Sequence, residues 1–191
     1  MCIVSQSDAE FNLLGEWICR GDANPVCPTC QSPMKHRDWR RRHIRLEGGE
    51  KRWGKIRRLY CEKCHRLHNE LPSCLSPHKH YDVEVIEGVV DGVITLDDPA
   101  TEDYPCERTM ERWKAWIEHN RPFIEGYIRS VGCRILGLGE SFLHACGSLL
   151  DWMRAAWHDN ERHWLTVVNR IVYNTGSSLE PWPPFWSSSA P

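Results

Sequence analysis

Cys27-Pro28-Thr29-Cys30 and Cys61-Glu62-Lys63-Cys64 bracket the stretch on which the reading of this chain turns. Each pair places two thiols on one tight turn. Two such turns brought together make a tetrahedral Cys₄ site that suits Zn²⁺. Four thiolates leave no open position for water or substrate, so Cys27, Cys30, Cys61 and Cys64 point to a structural zinc rather than a catalytic one. The segment between the pairs is longer than in a compact finger, so it must run out and back as a hairpin or extended ribbon.

That segment is basic. Residues 31–60 hold eleven Lys/Arg against Asp38, Glu47 and Glu50, a local +8 in a chain whose formal net charge is −2, so the remainder carries −10. A row of cations on a small rigid knuckle is the electrostatic footprint of phosphate contact. The plainer alternative, a solvated charged face, is weighed down by the ratio of cations to anions. Candidate nucleic-acid contacts within it are Arg40, Arg41, Arg42, Arg45, Arg52, Lys55, Arg57 and Arg58. Arg40–Leu46 and Arg52–Tyr60 read as strands, with Gly48-Gly49 in the turn between them. Trp39 and Trp53 flank the two strands. Packing over the metal site is their expected role, stacking on a base or backbone the alternative.

A chain of 191 residues can bury a sizeable core in one domain or two small ones. Residues 1–20 lack a basic start, an apolar run and a small-residue cleavage site, and no stretch is apolar enough to span a bilayer. The expected setting is therefore a reducing cytoplasm, with Cys2, Cys19, Cys74, Cys106, Cys133 and Cys146 as core or unpaired thiols.

Five segments follow. Residues 1–24 read as a leader, either a small helix carrying Phe11, Leu14 and Ile18 or an extended arm. Residues 25–75 form the zinc ribbon. A histidine-rich run (His65, His68, Cys74, His78, His80) crosses its end. Its spacing matches no compact ligand pattern, so surface or hydrogen-bonded histidines are expected rather than a second metal site. Residues 76–132 read as helical. A short helix with Val83, Val85, Ile86, Val89 and Val90 stops at Gly92, and an acidic loop (Asp97, Asp98, Glu102, Asp103) follows. A second helix opens near Pro105, buries Met110, Trp113, Trp116 and Ile117, and is expected to end at Pro122. Two helices of this kind have the layout of a helix-turn-helix, with a plain helical pair as the alternative. Residues 133–176 carry further amphipathic helices, one of them Trp164–Tyr173, which serve as core or as a self-association surface. Residues 177–191 form a Ser, Pro and Trp-rich tail. The fold class expected is α+β: an N-terminal Cys₄ zinc ribbon of short antiparallel strands, followed by an all-α part.

The order Cys27-x₂-Cys30, Ile56-Arg57-Arg58-Leu59-Tyr60-Cys61-x₂-Cys64, His68-Asn69-Glu70-Leu71-Pro72 and Pro77-His78-Lys79-His80-Tyr81 resembles an uncharacterised family of small bacterial zinc-ribbon proteins. More distantly it is similar to the N-terminal zinc-ribbon and helix-turn-helix portion of insertion-sequence transposases. That resemblance covers roughly residues 25–120. It implies that the four cysteines ligate zinc, that Arg57 and Arg58 contact phosphate, and that Arg108 and Arg112 lie on a recognition helix. No large catalytic domain follows, so no transposase or nuclease activity is implied. The function expected is a non-enzymatic zinc-ribbon protein that binds double-stranded DNA, a regulator or accessory factor of a mobile or phage-related element. An adaptor docking a protein partner through the helical half and tail is the alternative, and a metal-dependent nuclease built on the acidic loop is a second.

Overall fold

The computed structural model describes residues 1–97, 105–132, 134, 147–157 and 163–181. Its centre is a mixed sheet of six strands: β1 Cys2–Val4, β2 Glu10–Phe11, β3 Trp17–Ile18, β4 Lys35–Arg45, β5 Lys51–Cys61 and β6 Arg66–Leu71. Four α-helices are described with it: α1 Val83–Asp91, α2 Glu107–Tyr127, α3 Leu149–Trp157 and α4 Trp164–Tyr173. This overturns the expected fold class. The ribbon is not a separate module of short strands followed by an all-α part. Its two long strands are the middle of a larger sheet to which the N-terminal residues also belong.

β5 organises the sheet. Along one side it pairs antiparallel with β4, from Lys51 opposite Arg45 to Tyr60 opposite Lys35. Along its other side, β3 lies parallel to Gly54 and Lys55, and β6 runs antiparallel to Arg57–Cys61. β1 adds in parallel to β6, with Ile3 opposite Glu70, and β2 adds antiparallel to β3. The leader is therefore three short strands rather than a helix. Phe11 and Leu14, expected on a helical stripe, are exposed. β3 can cross close to β5 because residue 54 is glycine: a Cβ there would lie 2.1 Å from the Trp17 ring.

Directly opposed residues share a face of a sheet, and successive residues alternate. One face accordingly carries Cys2, Trp17, Ile44, Ile56 and Leu71, and these belong to the large core that the four helices complete. The opposite face carries Ile3, Leu59 and Cys61, which join Cys27 and Met34 in a small second cluster. The cysteine knuckle thus caps one end of one face, and the helices cover the other.

α1 stops as expected at Gly92, which is left-handed, and the structure adds an N-cap at Asp82, whose carboxylate accepts from the Glu84 amide. α2 does not stop at Pro122 but continues to Tyr127. The helix absorbs the missing N–H while Ile117, Ile124 and Ile128 stay fully buried along it. Among the described residues the two helices do not form the expected helix-turn-helix. Residues 92–106 separate α1 from α2, and α2 turns Met110, Trp113, Trp116 and Ile117 into the core. The described part of the tail straps across α2: the Trp116 indole and the Asn120 amide both donate to the Glu180 carbonyl, at 3.0 and 3.2 Å. Most of the acidic loop, the residues around Phe142 and Leu143, and Trp182 onward lie outside the described residues. No described helix is long and apolar enough to cross a membrane.

Candidate metal centre and basic hairpin face

The two Cys-x₂-Cys turns meet as the sequence predicts. The Sγ atoms of Cys27, Cys30, Cys61 and Cys64 all lie within 4.8 Å of one another. Cys27 and Cys64 are 3.6 Å apart and Cys30 and Cys61 3.4 Å. A tetrahedron with Zn–S bonds of about 2.3 Å has sulfur–sulfur edges of about 3.8 Å, so the donor set and spacing fit a thiophilic divalent metal.

Both turns are built alike. The residue after each second cysteine, Gln31 and His65, takes a left-handed backbone with φ 56°. The Gln31 amide donates to the Cys27 carbonyl at 2.8 Å and the Cys27 amide to that of Ser32 at 2.8 Å, closing the first turn. The Ser32 amide also stabilises the Cys30 thiolate and pulls its pKa down to about 6. Burial, with hydrogen bonds among the sulfurs, pushes Cys64 up to about 12. In the metal-free cluster Cys30 therefore gives up its proton readily and Cys64 holds its own. A dication bound among the sulfurs removes that opposition.

His68 is the member of the histidine-rich run that lies against the cluster, hydrogen-bonded rather than ligating. It is fully buried, its Nε2 lies 3.6 Å from the Cys27 sulfur, and its Nδ1 has no partner among the described residues. It sits beside the cluster as a hydrogen-bonding support rather than inside the four-sulfur set. Among the described residues, the other members of the histidine-rich run form no metal-holding group.

The predicted nucleic-acid contacts separate by environment. Arg57 is held internally: its Nε donates to the fully buried Glu70 at 2.6 Å and its Nη2 to the Asp22 carbonyl at 2.7 Å. Arg58 grips Asp38 with Nε and Nη2, the latter at 2.6 Å, and that contact holds the Asp38 carboxyl below its ordinary value. The two arginines implied by resemblance to be phosphate contacts thus serve the fold. Arg52 pairs with Glu50 at 2.6 Å, and Arg42 is half-buried with its Nη2 donating to the Lys79 carbonyl.

Arg40, Arg41 and Lys55 are different: they are exposed and have no ion pair among the described residues. Arg41 and Lys55 face each other across the ladder, next to the His43–Trp53 pair. Arg41 lies 5.1 Å above the Trp53 ring and the Lys51 ammonium 4.7 Å from it. Trp39 and Trp53 are 42% and 41% exposed, so neither packs over the metal site as expected. The result is an open strip in which cations and indoles alternate. A structural reason for the cations stands beside this. β4 is an edge strand over most of its length, and charges with a bulge between His36 and Asp38 keep such an edge from pairing with another chain.

Arg108 and Arg112 are both exposed on the first turns of α2. Arg112 does not project from a free recognition helix. It lines a cleft shared with His43 and Arg45 of β4 and the loop at His78–Tyr81.

No curated protein and no solved structure matches the chain. Residues 27–113 match the model of a family described as Domain of unknown function (DUF6431), a segment that opens on the first of the four clustered cysteines and contains the whole basic hairpin.

Proposed function

We propose that this protein is a non-enzymatic nucleic-acid-binding protein whose Cys₄ centre holds a structural Zn²⁺ and whose basic hairpin face meets double-stranded DNA. The observation that supports it is the strip of Arg41, Lys51 and Lys55 around two half-exposed indoles, on the face opposite the large helical core, with exposed Arg40 on the other side of the same strand. Cations without carboxylate partners gain most from phosphate, because they lose no internal ion pair when they bind. Indoles beside them offer flat surface to sugar or base. The metal supplies rigidity only: with four sulfur donors it leaves no position for substrate, and it anchors the end of the hairpin at Cys61.

The test is a salt-dependent shift assay on a short duplex, with the zinc content of the purified chain measured alongside. One zinc per chain is expected, together with affinity that falls steeply as salt rises. Arg41→Glu with Lys55→Glu should weaken binding at least tenfold and leave the melting temperature unchanged. Equal affinity in that variant, or binding indifferent to salt, refutes the reading. Arg57 is unsuitable for this test, because a carboxylate placed against buried Glu70 would unfold the chain.

A further inference from the structure

Between the base of the hairpin, the loop at residues 78–81 and the first turns of α2 lies a cleft whose described lining contains no carboxylate. Its polar groups are the cations Arg45, Lys79 and Arg112, the imidazoles of His43, His78 and His80, and the Thr109 hydroxyl. Its apolar walls are Tyr81 and Trp113, packed edge to face at 4.5 Å.

Like charges do not gather in a concavity without a cost. The imidazoles of His43 and His80 stack nearly parallel, 4.2 Å apart, an arrangement that two protonated rings oppose. Burial, the facing His80 and the cations Lys51, Arg45 and Arg42 push His43 down to about 4. His80 is held down by burial and by Arg42, Arg45 and Lys51, and His78 by burial, Arg42 and Lys79. Lys79, its ammonium 4.3 Å from the Trp116 ring, is lowered by burial and by Arg112. Three separate elements therefore aim cationic or protonatable groups at one space. An anion placed there removes the repulsion between Lys79 and Arg112 and favours protonation of the stacked imidazoles.

We propose that this cleft is a phosphate-binding subsite, in which Lys79, Arg112 and the stacked His43–His80 pair hold one phosphate group. His43 also packs against Trp53, at 5.2 Å, so the subsite adjoins the exposed strip of the hairpin. The phosphate is that of a nucleic-acid backbone running off the strip, or that of a free nucleotide. The site does not depend on the hairpin reading, since its groups exclude Arg40, Arg41 and Lys55.

The experiment follows imidazole resonances of the full-length, zinc-loaded protein by NMR during titration with inorganic phosphate. The signals of His43 and His80 should move saturably, and in saturating phosphate both should titrate at higher pH than without it. Arg112→Gln, which alters an exposed side chain, should weaken phosphate binding at least fivefold. Lys79→Met, which keeps the stem over Trp116, should do the same. Arg41→Glu with Lys55→Glu should leave it within twofold. Competition separates the two sources: displacement of phosphate by a short duplex assigns the backbone, and displacement by AMP but not by duplex assigns a nucleotide. Resonances that do not move, or unchanged affinity in folded Arg112→Gln and Lys79→Met, overturn the subsite while leaving the hairpin reading to its own test.

Discussion

Arg57 shows how a cation in a basic run can belong to the interior. Glu70 is fully buried and accepts from Arg57 at 2.6 Å and from the Asp22 amide at 2.9 Å. Two charges removed from water stabilise little as a pair, but deleting one leaves the other buried and uncompensated. Arg57→Ala should therefore cost about 3–5 kcal/mol in a urea unfolding experiment. Arg41→Ala, from an exposed side chain nearby, should stay within about 0.5 kcal/mol. Comparable losses in the two variants would show that the hairpin cations are energetically alike, against this assignment. The same reasoning separates the hairpin cations: Arg57 and Arg58 meet carboxylates brought close by the fold, and Arg52 meets its sequence neighbour Glu50.

At the scale of elements, the two C-terminal helices begin on carboxylates lent by earlier ones. Glu125 of α2 accepts from the Leu149 and Leu150 amides at the start of α3, at 2.9 and 3.1 Å. Glu87 of α1 accepts from the Leu165 amide at the start of α4, at 2.5 Å, and from His163 at 2.7 Å. These are N-caps supplied from a distance, favourable for the unsatisfied amides and for the helix dipole. Glu125→Ala should cost about 1–2 kcal/mol, read from the urea midpoint. His163 adds a pH dependence. Its hydrogen bond to Glu87 raises its pKa above the ordinary 6.5, so the folded chain holds that proton more tightly than the unfolded one. The resulting stability is complete below pH 6.5 and is lost as pH rises through the folded-state value. The urea midpoint of the zinc-loaded protein should fall across that alkaline window, and His163→Asn should flatten the fall. A profile unchanged by the variant would assign the dependence elsewhere.

For the molecule as a whole, the sheet divides two unequal cores. The helices and one face hold Ile44, Ile56, Leu71 and Ile86; the other face holds Ile3, Met34 and Leu59 beside the cysteines. The smaller cluster is too little apolar surface to persist unaided, so a metal bound among the four sulfurs is expected to hold it together. Chelation should abolish amide protection around residues 27–34 and 61–66, while the far-ultraviolet signal of the helices persists. Protection that survives chelation would show that the knuckle folds without metal.

What the sequence determined by itself was local. The two Cys-x₂-Cys turns, the hairpin around Gly48-Gly49, α1 with its Gly92 stop, and the stripe of α4 are each written within a few turns of chain. Their signals are spacing, capping and periodicity, which act between near neighbours. Tertiary structure decided the rest. Strands as short as Trp17–Ile18 carry no pattern of their own and exist only because β5 offers its free backbone groups. Pro122 stays helical because burial along α2 outweighs one lost hydrogen bond. The separation of Arg41 and Lys55 from Arg57 and Arg58 depends on where Glu70 and Asp38 come to lie. A cation's role is set by the nearest carboxylate in space, and backbone pairing across tens of residues leaves no mark on the residues in between.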